Sequence, residues 1–341
     1  ADVVRKALAR AGAGIARSVL LFLSTEFAHQ AHAAVVAASR AAHCLQVSGC
    51  TAPGVFTEED WLLDRPAACA MVFTGGCGLA ALAAADAPLL SLAVPNAATP
   101  SWLNGGRRYG LLSTDASAHG AGRLWCHGKP VAEGRCEVAI IGARAVIGAS
   151  RGLRILGEPQ ALTCNGREVL THGGRPALLS LLHALPPEMR QAEQLPFHLL
   201  AAGIVHGRPE DAVEEGRFAL VPILAANHEE RSLTLALPPQ AGQRLFWAMR
   251  QELAAEDDMR RLVGRLAAAL GTAPDFGLLF SCLGRGPWFF GGEDRDLAVV
   301  KERFPGLPLI GAYGGGQIAP LPDGNEPLHN AAVLALFAAD V

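Results

Sequence analysis

Strand-length apolar runs recur along the chain, most of them closed by serine, cysteine or a glycine-rich turn. Ser18–Ser24, Ala68–Phe73, residues 89–94 and Phe276–Cys282 are apolar on both faces, the pattern of fully buried strands. Residues 1–17 are Ala-rich with Arg5, Lys6 and Arg10, and predict a first helix. Ser24, Thr25 and Glu26 offer caps to a second helix that runs to about Ala42. Residues 47–56 read as strand, tight turn and strand. Thr74-Gly75-Gly76-Cys77-Gly78 leads into a helix predicted to start near Leu79 and stop before Pro88, and 95–121 is polar, Gly-rich and loop-like. From there the rhythm is β: 123–127, 137–142, 145–149 and 154–157 are short strand candidates. Asn165-Gly166 predicts a type I′ hairpin between 161–164 and 167–170. Pro176 opens a helix that Pro186-Pro187 closes, and a domain boundary is placed at 190–191.

In the second half, 197–205, 218–224 and 232–237 are strand-like. Leu245, Met249, Leu253, Met259, Leu262, Leu266 and Leu270 stand near helical spacing and predict the longest helix over 243–270, with Gly271 ending it. A further helix to Phe304 and strands at 307–313, 317–319 and 330–337 complete the chain. The expected class is α/β, with two related subdomains of mixed sheets flanked by helices.

The relation between subdomains is visible as a repeat. Leu20-Leu21-Phe22-Leu23-Ser24 resembles Gly277-Leu278-Leu279-Phe280-Ser281, and each leads through a helix to a second strand. That strand enters Gly49-Cys50-Thr51-Ala52-Pro53-Gly54 in one copy and Gly311-Ala312-Tyr313-Gly314-Gly315-Gly316 in the other, with the outer glycines at the same separation. Glycine lets the backbone approach a ligand closely, and successive exposed N–H groups hold carboxylates or phosphates. Thr51, Ser281 and Gln317 add hydrogen-bonding side chains, and Arg285 can grip a carboxylate bidentately. The candidate ligand site is therefore Cys50, Thr51, Gly54, Ser281, Cys282, Arg285, Gly286, Gly311, Gly315, Gly316 and Gln317.

Composition narrows the partners. Half of the residues are apolar, enough for a sizeable core, and the net charge is −3. Lysine stands only at 6, 129 and 301, with no basic tract, which argues against nucleic acid as a partner. No apolar run reaches the roughly 18–20 residues that span a bilayer, and no signal-peptide pattern is evident. The eight cysteines include no Cys-x-x-Cys pair, so reduced thiols, no metal and a cytoplasmic location are expected. No cofactor is implied.

The motifs resemble those of the FIST family. Residues 275–286, Asp-Phe-Gly-Leu-Leu-Phe-Ser-Cys-Leu-Gly-Arg-Gly, resemble its strand ending in F-S-C-x-G-R-G. Residues 308–320, from Pro308 through Gly311, Gly316 and Gln317 to Pro320, resemble its P-x-x-G-x-x-x-x-G-E-I-x-P, with Gln317 where the family usually has Glu. Gly49 to Gly54 resembles its G-C-S/T-x-x-G turn, and Asn330 with its strand fits the closing segment. The resemblance implies an N-terminal-like domain over 1–190 and a C-terminal-like domain over 191–341. It further implies a bacterial stand-alone sensory protein that binds a small polar ligand, such as an amino acid or related metabolite, and signals through a separate partner. An enzyme using Cys50 or Cys282 as nucleophile, a nucleotide site at Thr74–Gly78 and a protein-interaction scaffold are the competing readings.

Overall fold

The computed structural model describes the chain except residues 82–86, 116–120, 191–194, 206–207, 214–215, 241, 323 and 341, and the side chains at 209–210. Two compact units emerge: 1–151 with 256–320 and 324–341, and 152–255 with 321–323. The sequence boundary at 190–191 falls inside the second of these.

The first unit opens with α1 (Asp2–Arg10), shorter than predicted because Gly12 takes φ +60° and Gly14 follows. β1 (Ser18–Ser24), a 3₁₀ turn (Thr25–Gln30) and α2 (Ala31–Ala42) lead to β2 (Val47–Ala52), parallel to β1. β3 (Gly54–Thr57) and β4 (Trp61–Leu63) form a hairpin, and β5 (Ala68–Phe73) lies antiparallel to β1. β6 (Gly78–Ala80) follows as a strand where a helix was predicted from Leu79, because it pairs with a later strand; the remainder of that predicted helix, 82–86, lies outside the described residues. With it goes the helix N-terminus on which the nucleotide reading of Thr74–Gly78 rested.

The same order then recurs. β7 (Leu89–Ala93), the short α3 (Pro100–Leu103) and β8 (Arg108–Leu112) form a second parallel pair. β9 (Leu124–Cys126) and β10 (Lys129–Pro130) form the hairpin, β11 (Arg135–Ile141) returns antiparallel to β7, and β12 (Ala143–Ser150) follows. The stretch 95–121, predicted as loop, thus holds a helix and a strand.

The second unit interrupts the series. It contains β13 (Leu153–Asn165), β14 (Glu168–His172), β15 (Arg175–Pro176), α4 (Ala177–Ala184), α5 (Pro187–Arg190), β16 (Leu200–Val205), α6 (Pro209–Ala212), β17 (Phe218–Asn227), β18 (Ser232–Leu235) and β19 (Arg244–Arg250). Its strands are antiparallel in the order β13-β19-β16-β17-β18-β14, and β14 pairs back to β13, which closes a barrel. The hairpin at Asn165-Gly166 is present, with Gly166 and Arg167 at its tip between the pair Asn165 and Glu168. Residues 244–250 are a strand, not the start of the long helix. Leu245, Trp247 and Met249 enter one core cluster and Phe246 and Ala248 another, so both faces are buried. A Leu245–Met249 spacing of four suits a helix and a strand alike, which is why periodicity misplaced it.

After α7 (Glu252–Leu270) the first unit resumes with a third copy. β20 (Phe276–Cys282) and α8 (Arg295–Arg303) precede β21 (Leu309–Gly314), parallel to β20. β22 (Gly316–Leu321) and β23 (Gly324–Leu328) follow, and β24 (Ala332–Ala339) lies antiparallel to β20. The two related ends read from the sequence are both present, and a third relative stands between them.

The three copies exchange strands in a ring. The sheets run β10-β9-β2-β1-β5, β4-β3-β21-β20-β24-β12 and β23-β22-β8-β7-β11-β6. Copy one thus gives its hairpin to copy three, copy three to copy two, and copy two to copy one. The registers match: Leu21 opposes Gly49, Ser91 opposes Gly110 and Leu279 opposes Gly311. A Cβ on those glycines would sit 1.8, 2.1 and 2.1 Å from the opposing carbonyl oxygens of Leu21, Ser91 and Leu279. Helices cover one face of the first and third sheets: Val4, Leu8 and Val35 pack on Leu21 and Val47, and Met259, Leu262 and Val300 pack on Leu279 and Leu334. Aromatic rings from all three copies meet elsewhere in the unit, with Phe22–Phe280 centroids 5.9 Å apart and Tyr109–Phe337 6.4 Å apart.

Candidate functional site

The ring brings the predicted Gly-rich turns together as two of three crossings between sheets. Thr51 is fully buried at the end of β2; its Oγ1 accepts from Arg123 N at 2.8 Å, and its carbonyl accepts from Ser113 Oγ at 2.7 Å. Ser113 is the matching end of β8. Gly315, between β21 and β22, donates its N–H to Leu112 O at 3.1 Å and accepts from His329 Nδ1 at 2.9 Å. The carbonyl acceptor fixes the proton of His329 on Nδ1. Gly54 and Gly316 sit just past the crossings, where a Cβ would strike Leu63 Cδ2 at 2.2 Å in one case and approach Leu112 Cδ1 at 3.0 Å in the other. Both turns are therefore tightly packed junctions.

The other predicted residues separate from these turns. Gln317 is fully buried opposite Leu111, and neither its Nε2 nor its Oε1 has a partner among the described residues. Ser281 is equally buried, and its Oγ is unpartnered in the same sense. Cys282 ends β20, buried, with its N–H on Ala331 O at 3.0 Å. Gly286 lies against the Tyr313 ring. Arg285 was expected to meet a ligand carboxylate, but it grips an internal one. Its Nε and Nη2 donate to Asp296 Oδ2 and Oδ1 at 2.8 and 2.9 Å. Its Nη1 and Nη2 donate to Ser150 O and Oγ at 3.0 and 2.7 Å, and the residue is 1% exposed. Beside it Tyr313 Oη donates to Asp294 Oδ2, and Asp294 Oδ1 caps α8 through Leu297 N at 2.9 Å. Burial, reinforced by the neighbouring Asp296, pushes the Asp294 carboxyl up to about 6.

The thiols are arranged against nucleophilic chemistry at the predicted positions. Cys50 is fully buried, and burial pushes its thiol up to about 12 despite a hydrogen bond with Ser113. Cys126 is the contrast: it is partly exposed, and hydrogen bonds with Cys136, then Ser48 and the Glu137 backbone, bring it down to about 7 against the opposing effect of burial. Among the described residues no group of three or more His, Cys, Asp or Glu is placed to hold a metal ion.

A cavity of about 360 Å³ opens where β1 and β2 end. His29 and His32, at the junction of the 3₁₀ turn and α2, line one side; Arg123, Leu124 and Trp125 of the β9 segment line another; Val94 and Gly134 complete it. Arg123 joins this cavity to the first Gly-rich turn through its bond to Thr51. Among the described residues three basic side chains line the cavity and no carboxylate does. Trp125 Nε1 is buried without a partner among the described residues. Neither Cys282 nor Arg285 lines it. Sequence reasoning missed His29, His32 and Arg123: two histidines one helical turn apart were a faint signal, and Arg123 carried none.

The first unit is thus a threefold α/β repeat with a closed barrel inserted in its sequence. Residues 177–320 match the family model of the FIST C domain. The chain carries that domain, a sensory domain of signal transduction, and the family read from its motifs holds. Its relatives include the uncharacterized protein Rv0628c of Mycobacterium tuberculosis, 31% identical over 237 residues, 69% of this chain and 59% of that protein. The uncharacterized protein Mb0898c of Mycobacterium bovis is 32% identical over 244 residues, 70% of this chain and 60% of that protein. The matched region thus spans about three-fifths of the length of these relatives. Among the described residues no helix is long and apolar enough to cross a membrane.

Proposed function

We propose that this chain is a cytoplasmic sensory module that binds a small carboxylate metabolite, an amino acid or a relative of one, and reports it to a separate signalling protein. The observation that carries the reading is the cavity beside the first Gly-rich turn, with His29, His32 and Arg123 on its wall and, among the described residues, no acidic side chain. Ligands of α/β proteins collect outside the carboxyl ends of parallel strands, which is where this cavity lies. Its volume falls at the small end of the roughly 300–1,000 Å³ of ligand pockets, as an amino-acid-sized molecule requires. Arg supplies a planar two-pronged donor to a carboxylate. In this reading Cys50, Thr51 and Gly54 are the packed turn behind Arg123, outside the lining of the cavity. Gly311, Gly315, Gly316 and Gln317 hold the neighbouring crossing.

A thermal-shift screen of amino acids, hydroxy acids and dicarboxylates tests it. A ligand at a hundredfold excess over its Kd adds about 2.7 kcal/mol of stability. Arg123→Ala is expected to abolish the shift while leaving the unliganded melting temperature unchanged, because Arg123 is exposed and contacts Thr51 only through its backbone. A full shift in Arg123→Ala, or no shift with any carboxylate, overturns the reading.

A further inference from the structure

The ring of three copies is filled unevenly. In the second copy β11 has β7 on one edge and β6 on the other, with Ile141 opposite Gly78. In the third copy β24 has β20 on one edge and β12 on the other, from Ala332 opposite Ser150 to Ala339 opposite Ala143. Each extra strand is supplied by the segment that follows the preceding copy, and each runs antiparallel to its host. In the first copy β5 has β1 on one edge, and among the described strands none lies on the other.

That edge borders an apolar groove of about 650 Å³. Met71, Val72 and Phe73 of β5 line it together with Ile310, and Val3 and Ala7 of α1 wall it. The third copy shows how such a groove is filled. There β12 lies beneath α7, which precedes β20 as α1 precedes β1. A Cβ on its Gly148 would come within 2.6 Å of Leu262 Cδ1. Burial records the difference: β24 is fully buried from Ala332 to Phe337, whereas Ala70, Met71 and Val72 of β5 are half-exposed. Charge gives the occupant its sign. Glu58, Glu59, Asp60 and Asp275 line the groove against Lys6 and Arg10, and Arg10 is already paired with Glu58 and Glu59. By register, Thr74 corresponds to Ala338, which opposes Arg144 of β12. A basic residue of an added strand at that place would therefore stand beside Asp275.

We propose that the β5 edge is a docking site for an extended segment of a partner polypeptide. The segment adds antiparallel to β5, is apolar with a small residue facing α1, and carries a basic residue near its start. Backbone pairing supplies the affinity and the groove under α1 supplies the side-chain selection. β12 itself, Ala-Arg-Ala-Val-Ile-Gly-Ala-Ser, is the template for such a segment.

The probe is a fluorescent peptide of that sequence with a solubilising lysine tail, titrated into the full chain and followed by anisotropy. Saturable binding is expected, with slowed amide exchange at 68–74. A peptide N-methylated at its β5-facing amides is expected to bind at least tenfold more weakly. Ala7→Arg narrows the groove from the surface of α1 and is expected to weaken binding tenfold or more with an unchanged melting temperature. Equal binding of the N-methylated peptide, protection at β24 instead of β5, or no binding at millimolar peptide overturns the proposal. Concentration-dependent self-association that protects β5 in the protein alone would assign the groove to a second copy, and likewise overturns it.

Discussion

Arg285→Met is the sharpest perturbation of the first unit. Arg285 and Asp296 are 1% and 0% exposed, so the variant leaves a buried carboxylate without its cation. Four of its hydrogen bonds disappear with the guanidinium, two donated to Asp296 and two to Ser150. Summed at about 1.5–3 kcal/mol each, the charged bonds would match the whole stability of most domains, but that sum ignores the desolvation cost of the intact pair. Removing one partner of a buried pair costs about 3–5 kcal/mol, a large part of the roughly 5–15 kcal/mol that holds a domain folded. Burial already pushes the Asp296 carboxyl up, with Arg285 as the first opposing influence, so in the variant the acid is expected to protonate rather than stay charged. Arg285→Lys keeps the charge and loses the fork, and should fall between wild type and Met. Arg285→Met with Asp296→Leu removes both charges and should recover most of the loss. The assay is urea unfolding read by amide exchange in β20 peptides, so that the transition belongs to the unit holding the pair. A Met variant within about 1 kcal/mol of wild type would refute the reasoning and return Arg285 to the role of a ligand contact. So would a double variant no more stable than the single one, a comparison that still decides if the single variant does not fold.

Asp294 predicts a pH dependence. Its folded value of about 6 lies above an unfolded value of about 3.9, so between those values the folded chain holds more protons than the unfolded one. Its contribution to stability is therefore present below about pH 4 and lost as pH rises through 6. Asp294→Asn keeps the acceptor for Leu297 N and should flatten this decline, changing the stability difference from wild type by up to about 3 kcal/mol between pH 4 and 7. Parallel pH curves for the two proteins would refute the assignment. Cys126 should react first with iodoacetamide at pH 7.5, while Cys50 and Cys136, 0% and 1% exposed with thiols pushed up by burial and, for Cys136, foremost by Cys126, stay unlabelled in the folded protein. Labelling of Cys50 or Cys282 as fast as Cys126, read by peptide mass spectrometry, would revive the nucleophile reading.

Apolar runs such as Ser18–Ser24 and Phe276–Cys282 were legible as strands because they are seven residues long, short for a helix, and are bounded by polar or Gly-rich punctuation. The motifs around Gly49 and Gly311 likewise announced two related copies and their family, since a glycine pressed on an opposing carbonyl admits no substitute. The third copy stayed hidden because β8 is five residues long and begins at Arg108; it is a strand by virtue of its pairing with β7 and β22, which no local pattern encodes. Residues 244–250 misled for a related reason: burial on both faces erases the alternation that separates strand from helix. The candidate site divides along the same line. Thr51 and Gly315 were legible as turn residues, but whether Arg285 meets a ligand or Asp296 depends on where α8 packs. His29, His32 and Arg123 come from distant stretches and share a wall only after the strands have closed their ring. Sequence determined the elements that bury themselves; tertiary structure decided which polar groups were left to face a cavity, because that depends on which partners were already taken.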